Sequence, residues 1–319
     1  MEEKIKLEPL DKIEILTLQD NYVEVTAMDN SEVVKRATAI HDNKIQRSVS
    51  AEHGFSAVVR AHGSSGVRTL LFDFGFSENG AAENAERLGV DMTEVEVMAL
   101  SHGHSDHTGG IEALTGMIGK KGIELFVHPG AFRSSRYLKF PRGLEFAFPE
   151  FTRERLEKAG VRIVTSERPR LLLDGTVLFL GEIERTSDFE RGMPNAFRRE
   201  EGGETWDPIE DDTAVALHLR GKGLVVLSGC SHSGIVNTVN YARKVTGIEK
   251  VHAVMGGFHL SGPAFESIVP RTTEELKKMN LAYVIPCHCT GRKPIHYMEK
   301  EMPEAFIMNM AGTRLTFRA

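Results

Sequence analysis

The stretch SHGHSDHTGG, residues 101–110, sets three histidines and an aspartate within six positions, after the apolar run VEVMALS and before a Gly-Gly pair. Imidazole nitrogen and carboxylate oxygen are the donors that zinc and similar divalent ions take up. Ionisable groups buried at this density are costly unless they are paired or bound to metal. His102, His104 and Asp106 alternate at spacing two, so an extended backbone turns all three the same way, and a tight turn brings His107 in from the side. Four donors on one loop imply more than one ion. They are too crowded to saturate a tetrahedral centre alone, so each ion is expected to need a further histidine from a distant segment.

Outward from the loop the chain reads as α/β. KIEILTLQD is an early strand, and FSAVVRAHGSSGVRTLLFDFG is a hairpin split at SSG. NGAAENAERLGVD carries apolar positions at helical spacing, at Ala81, Ala85 and Leu88, and VEVMALS is a short buried strand ending at His102. Thr108 to Gly119 predicts a second helix, and IELFVHPG the next strand. Residues 131–160 break this rhythm with the basic, aromatic RSSRYLKFPRGLEF and read as an insertion or lid. In the second half RIVTS, TVLFLGEI and TAVALHLRGKGLVVLSG read as strands, the last with a hairpin turn bracketed by Gly221 and Gly223. SHSGIVNTVNYARKVTG predicts a serine-capped helix, VHAVMGGFHL a buried strand, TTEELKKMN a helix opened by a Thr-x-x-Glu capping box, and AYVIPCHCTG a final strand ending in histidine. Residues 190–212, polar and marked by Gly and Pro, predict a long loop over the site. The whole of 1–319 is expected to form a single domain.

The composition, 41% hydrophobic and 26% charged, is that of an ordinary globular chain, and no apolar stretch has the length of a membrane span. The acidic MEEKIKLEPL lacks the basic start and apolar core of a signal peptide, so a cytoplasmic location is expected. A net charge of -6 argues against a general nucleic-acid binder. Cys230, Cys287 and Cys289 are too few and too unevenly placed for a disulfide framework, and no CxxC pair exists. The oligomeric state stays open, a homodimer included.

HxHxDH after a strand, with LFDFG upstream, resembles the metallo-β-lactamase superfamily. Nearly the whole chain takes part through AEHGFS (51–56), LFDFG (71–75), NAERLGVD (84–91), SHGHSDHTGG (101–110), LVVLSGCSHSGIVNTV (224–239), GGFHL (256–260) and PCHCTG (286–291). Within the superfamily the match is nearer to the 7,8-dihydropterin-6-methyl-4-(β-D-ribofuranosyl)aminobenzene-5'-phosphate synthases. The resemblance implies an αββα sandwich, two mixed sheets flanked by helices, with two divalent ions at one edge; zinc is expected, and manganese or iron also suits the donors. It implies that His102, His104 and His232 hold the first ion and that Asp106, His107 and His288 hold the second. Asp73 would orient the metal loop through hydrogen bonds.

One departure stands out. Many members end the strand corresponding to LVVLSG in Gly-Asp, whose carboxylate bridges the ions, whereas here Cys230 follows Gly229. Three readings stand: a water or hydroxide bridges alone, Cys230 is a soft ligand, or the second site is weak. His259 in GGFHL is either a ligand in place of His232 or an acid facing substrate. Glu52 and His53 are placed near the mouth, to meet phosphate or support the loop, and Arg133, Arg136 and Lys139 could supply charge for a phosphate.

Two ions can lower the pKa of bound water and stabilise charge on both attacking and leaving oxygens. The expected function is therefore hydrolysis of a small phosphate ester or phosphodiester, with Asp106 orienting the nucleophile and His259 acting as proton donor. A transferase that joins a pterin diphosphate to a ribofuranosylaminobenzene phosphate is the alternative, and a non-catalytic, metal-bound binding protein is the third class.

Overall fold

The computed structural model describes residues 4–319; of the N-terminal segment read above, Met1 to Glu3 lie outside it. Its frame is two large mixed sheets. The first runs in the order Val161–Thr165, Ile123–Val127, Val97–Ala99, Gly66–Phe72, Ser56–Gly63, Lys12–Gln19, Arg314–Arg318 and Val34–Lys35. The second runs Arg170–Leu172, Val177–Phe179, Ala214–Leu219, Gly223–Ser228, Val251–Gly257 and Tyr283–Cys287, with Pro9–Leu10 pairing beside Ala214–Leu219.

Alternation along the strands explains why the sheets stack. Side chains of successive residues leave opposite faces of a strand. Val59, Phe72 and Ala99 of the first sheet share one buried cluster with Val225, Leu227 and Met255 of the second. The intervening Val58, Leu71 and Met98 instead pack outward with Ala81, Ala85, Ile111, Leu114 and Leu156 from the helices Gly80–Arg87, Ile111–Ile118 and Arg153–Lys158. On the other side Leu224 and Val226 pack outward with Val236, Val239, Leu276 and Met298 from Ile235–Thr246, Val269–Lys278 and Arg292–Glu301. The result is the αββα sandwich. No helix among the described residues is long and apolar enough to cross a membrane.

Several local expectations are corrected. The helix expected over Thr108–Gly119 is two pieces, Ser105–Thr108 and Ile111–Ile118, broken at Gly109-Gly110. At the break the Gly109 and Gly110 amides donate to the Gly75 and Phe74 carbonyls at 2.9 and 3.1 Å, and the approach is so close that a Cβ at Gly109 would run into the Phe76 carbonyl. TTEELKKMN does not open its helix: the helix begins at Val269, with Pro270 in its first turn, so Thr272 and Thr273 lie buried inside it. No serine caps Ile235–Thr246. The Glu190 carboxylate does so from afar, accepting from the Val236 and Asn237 amides at 2.9 and 2.8 Å.

Residues 131–160, read as an insertion or lid, and 190–212, read as a long loop over the site, carry strands of their own. They interlock as one small antiparallel sheet in the order Leu144–Ala147, Arg136–Phe140, Ala196–Glu200 and Gly203–Trp206. The end of the first segment, Arg153–Lys158, returns to the outer helical layer with Thr152 as its cap.

Candidate metal centre

Parallel pairing gathers the chemistry at one edge. Gly223–Ser228, Val251–Gly257 and Tyr283–Cys287 are mutually parallel, so Cys230, His232, His259 and His288 follow strand ends on the same side. In the facing sheet Gly66–Phe72 and Val97–Ala99 are parallel and end in Asp73 and the metal loop. Asp73, Ser231, His259 and His288 all take left-handed backbone angles, with φ of 59, 52, 44 and 48°. Such conformations cost on the order of 1–3 kcal/mol each in non-glycine residues and persist where the surroundings over-determine them. Here each turns the chain sharply off a strand end and aims a side chain into the edge.

Two groups of donors result. His102, His104 and His232 form one; Asp106, His107, Cys230 and His288 form the other, and within each group the ligand atoms lie within 4.8 Å of one another. His232 Nε2 is 3.2 Å from His102 Nε2. Two nitrogens on one tetrahedral zinc, at ordinary Zn–N lengths, stand about 3.3 Å apart. In the second group Asp106 Oδ2 is 3.2 Å from His288 Nε2 and 3.7 Å from His107 Nε2, and Cys230 Sγ is 3.2 Å from His107 Nε2. His288 Nε2 is buried and makes no hydrogen bond despite that proximity.

The tautomers agree with a metal role. Asp73 accepts from the Ser101 amide at 2.7 Å, from Ser101 Oγ at 2.8 Å and from His107 Nδ1 at 2.7 Å. His107 therefore keeps its lone pair on Nε2. With its proton given to Asp73, Ser101 Oγ can only accept from His102 Nδ1 at 2.9 Å, so the His102 lone pair is also on Nε2. His288 Nδ1 donates to Asn21 Oδ1 at 3.1 Å, and the His288 amide to Asp20 Oδ1 at 3.0 Å. Outer hydrogen bonds of this kind fix ring orientation and the donor nitrogen of ligating histidines.

Electrostatics point the same way. Burial pushes His102 and His232 well below the ordinary histidine value and His104 down to about 3, so these rings are neutral and free to donate. His107 resists the same desolvation: Asp106 and Asp73 hold it up at about 9. Asp106 is pulled well below the carboxylate range, because the His107, His288 and His53 rings around it outweigh its burial. This point in the fold calls for positive charge, which a divalent cation supplies more fully than a proton. The donors present thus fit two divalent ions.

Among the remaining expected residues, His53 reaches the site and four others do not. His53 Nδ1 accepts from Asn21 Nδ2 at 3.2 Å, which leaves its Nε2–H to face Asp106 Oδ2 at 3.3 Å. Glu52 is turned away, accepting from Ser77 Oγ at 2.7 Å beside the helix Gly80–Arg87. Arg136 is buried in an ion pair with Asp207 and Asp211, and Asp211 in turn accepts from the Gly103 amide at 2.8 Å. Arg133 is paired with Glu210, and Lys139 with Glu204 at 2.7 Å. The charges of these three residues are met by carboxylates of the segment 204–211, so they brace the small sheet rather than line the metal pocket. His259 lies with Cys230 and Cys289, its ring 4.3 Å from that of His232, and its buried Nδ1 has no partner.

Sequence reasoning passed over Asp20, Asn21, Ser101, Phe148 and Cys289. Asp20 and Asn21 end the strand KIEILTLQ, a signal of the same kind that marked Asp73. Phe148 had no signal, because its ring stacks on His104 at 4.1 Å only through the fold of the small sheet.

The metal donors open into a cavity of about 400 Å³ whose other walls include Asn21, Leu138, Phe148, Met193 and Ser261. No lysine or arginine lines it among the described residues. A second cavity of about 240 Å³ shares Met193, His232 and His259 with it and is walled by Phe189, Pro194, Phe258, Leu260, Phe265 and Ile268.

Comparison with known proteins agrees with this architecture. A profile for the metallo-beta-lactamase superfamily matches residues 51–135. The chain is 34% identical over 270 residues to the 7,8-dihydropterin-6-methyl-4-(beta-D-ribofuranosyl)-aminobenzene-5'-phosphate synthase of Methanocaldococcus jannaschii, covering 84% of this chain and 90% of that protein. It is 30% identical to an uncharacterised protein of the same organism, over 80% of this chain and 90% of the other. Among solved structures, Tm1679, a metal-dependent hydrolase of the beta-lactamase superfamily, superposes with a TM-score of 0.73 at 22% identity, covering 96% of this chain and all of the other. A two-sheet sandwich with its histidines gathered at one strand-end edge, matched along most of its length by a relative at this identity, makes the chain a member of the metallo-β-lactamase superfamily.

Proposed function

We propose that this protein is a metal-dependent transferase that joins a pterin carried as its diphosphate to a ribofuranosylaminobenzene phosphate. The observation that carries this reading is the pair of cavities. A donor-lined pocket without lysine or arginine adjoins an aromatic-walled groove through Met193, His232 and His259. The first suits a diphosphate and the second a flat bicyclic ring. The M. jannaschii relative, a synthase by name, supports the same choice.

In this reading His102, His104 and His232 would hold one divalent ion and Asp106, His107 and His288, with Cys230 beside them, the other, and the pair would supply positive charge for diphosphate oxygens. The chain's own residues do the rest. Phe258 and Phe265 flank the ring and exclude water from it. The arylamine nitrogen attacks the methylene carbon of the pterin, the carbon–oxygen bond breaks, and the electron pair leaves on the diphosphate. His259, lining both cavities, takes the proton released by the amine. His53 holds the outer face of Asp106 through its Nε2–H.

Hydrolysis of a phosphate ester, the expectation from sequence, uses water in place of the amine and needs no adjoining groove. The two separate in one experiment. Metal-loaded protein is given the pterin diphosphate with and without the arylamine, and in parallel bis-p-nitrophenyl phosphate. Condensed product formed with stoichiometric diphosphate release supports the transferase. Diphosphate release independent of the amine, or turnover of the nitrophenyl ester alone, overturns it.

A further inference from the structure

A third cavity, of about 200 Å³, shares no lining residue with the metal pocket and is walled by Lys35, Arg36, Arg47, Arg87 and Arg314. We propose that it is a second ligand site, which binds the phosphate dianion of a small molecule.

The argument begins with strand register. Val34–Lys35 pairs antiparallel with Arg314–Arg318, and Lys35 sits directly opposite Arg314. Val34 and Leu315 point into the core, so Lys35 and Arg314 share the outer face. Directly opposed residues hold their Cβ atoms about 4.5–5.5 Å apart, and like charges there repel. Neither side chain has an ion-pair or hydrogen-bond partner among the described residues.

The neighbours add to the imbalance. Arg36, its side chain only 3% exposed, is fixed by Asp29 and by the Met308 carbonyl at 2.7 Å. Arg87 and Arg47 share one carboxylate, Glu83, at 2.5 and 4.0 Å. Five cations therefore face two carboxylates, leaving three positive charges in excess, in a chain whose net charge is -6. Ser48 Oγ, in the same wall, is buried without a partner. A guanidinium fork, an ammonium and a hydroxyl lining one small concave space are the donors a phosphate dianion takes, and among the described residues no carboxylate pairs with Lys35 or Arg314. The cavity's size suits a phosphate with a small attached group rather than a nucleic-acid strand.

The test uses the full chain stripped of metal with a chelator, so that the metal pocket contributes nothing. Inorganic phosphate and ribose 5-phosphate are titrated by calorimetry at constant ionic strength, with chloride and sulfate as controls. Saturable binding is expected in the wild type and in His104→Ala, weakened about tenfold or more in Lys35→Gln and in Arg314→Gln. Both glutamine variants should melt at or above the wild-type temperature in phosphate-free buffer, because each relieves the repulsion, and should lose the phosphate-induced rise. Tighter binding of ribose 5-phosphate identifies an ester as the ligand and equal binding identifies free phosphate; both uphold the site. Absence of saturable binding, undiminished affinity in both variants, an equal response to sulfate or chloride (an adventitious ion only), or tighter binding of a short DNA duplex overturns the proposal.

Discussion

Asp73→Asn isolates the link between a hydrogen bond outside the metal centre and the centre itself. The substitution keeps the shape of a fully buried side chain but replaces one acceptor oxygen with an NH2 group. Asp73 Oδ1 takes the Ser101 amide, and Oδ2 takes both Ser101 Oγ and His107 Nδ1. In the variant the amide oxygen must stay with the Ser101 amide, so the NH2 faces His107 Nδ1. It then donates where Asp73 accepted, and the His107 proton moves to Nε2, the nitrogen that faces Cys230 and Asp106. A ring protonated at Nε2 cannot ligate there. Loss of such an orienting group typically costs 10–100-fold in metal affinity, which is about 1.4–2.7 kcal/mol. The folded chain should lose less, because the packing volume is unchanged and the Ser101 amide keeps its acceptor. The assay is a chelator competition read by mass-spectrometric metal content, beside the melting temperature of the metal-free protein. The ion held through His107 should be weakened by that factor. Second-site affinity within about twofold of wild type, in a variant that melts normally, would show that Asp73 does not set the tautomer.

Further outcomes follow from the same geometry. Arg136→Met strips the partner from Asp207 and Asp211 and should destabilise the fold by about 3–5 kcal/mol in denaturant titrations, the usual cost of breaking a buried ion pair; a large rise in KM with unchanged stability would restore the phosphate-binding role expected from sequence. Cobalt-loaded wild type should show a thiolate charge-transfer band that Cys230→Ser removes, since Cys230 Sγ stands within the second donor group; a band that persists in the variant assigns the thiolate elsewhere. Burial lifts Glu190 to about 7 against the pull of the Val236 and Asn237 amides. A folded-state value above the unfolded one means that its contribution to stability is full below about pH 4.5 and is lost as pH rises through 7. The stability difference between wild type and Glu190→Gln should therefore shift against wild type across that window, and a flat difference would place the proton elsewhere.

Much of the site was legible in the chain because its donors carry local signatures. HxHxDH declares itself by composition and spacing, and His232 and His288 follow apolar runs that could only be buried strands. Gly109-Gly110, by contrast, read as a helical stretch, because the carbonyls that draw its amides out of the helix belong to Phe74 and Gly75, more than thirty positions away. Arg133, Arg136 and Lys139 read as free cations for the same reason. Their carboxylate partners lie in 204–211 and meet them only when two remote hairpins zip into one sheet.

The sequence by itself determined the donor set, the α/β class and the buried faces of the strands, since each follows from side-chain chemistry at spacings of one to four residues. Only the tertiary structure decided which donor atoms stand together, which tautomer the hydrogen bonds favour and which charges are already neutralised. Those depend on atoms brought within about 3 Å by strand order, and strand order is set by the packing of two sheets that no local window contains.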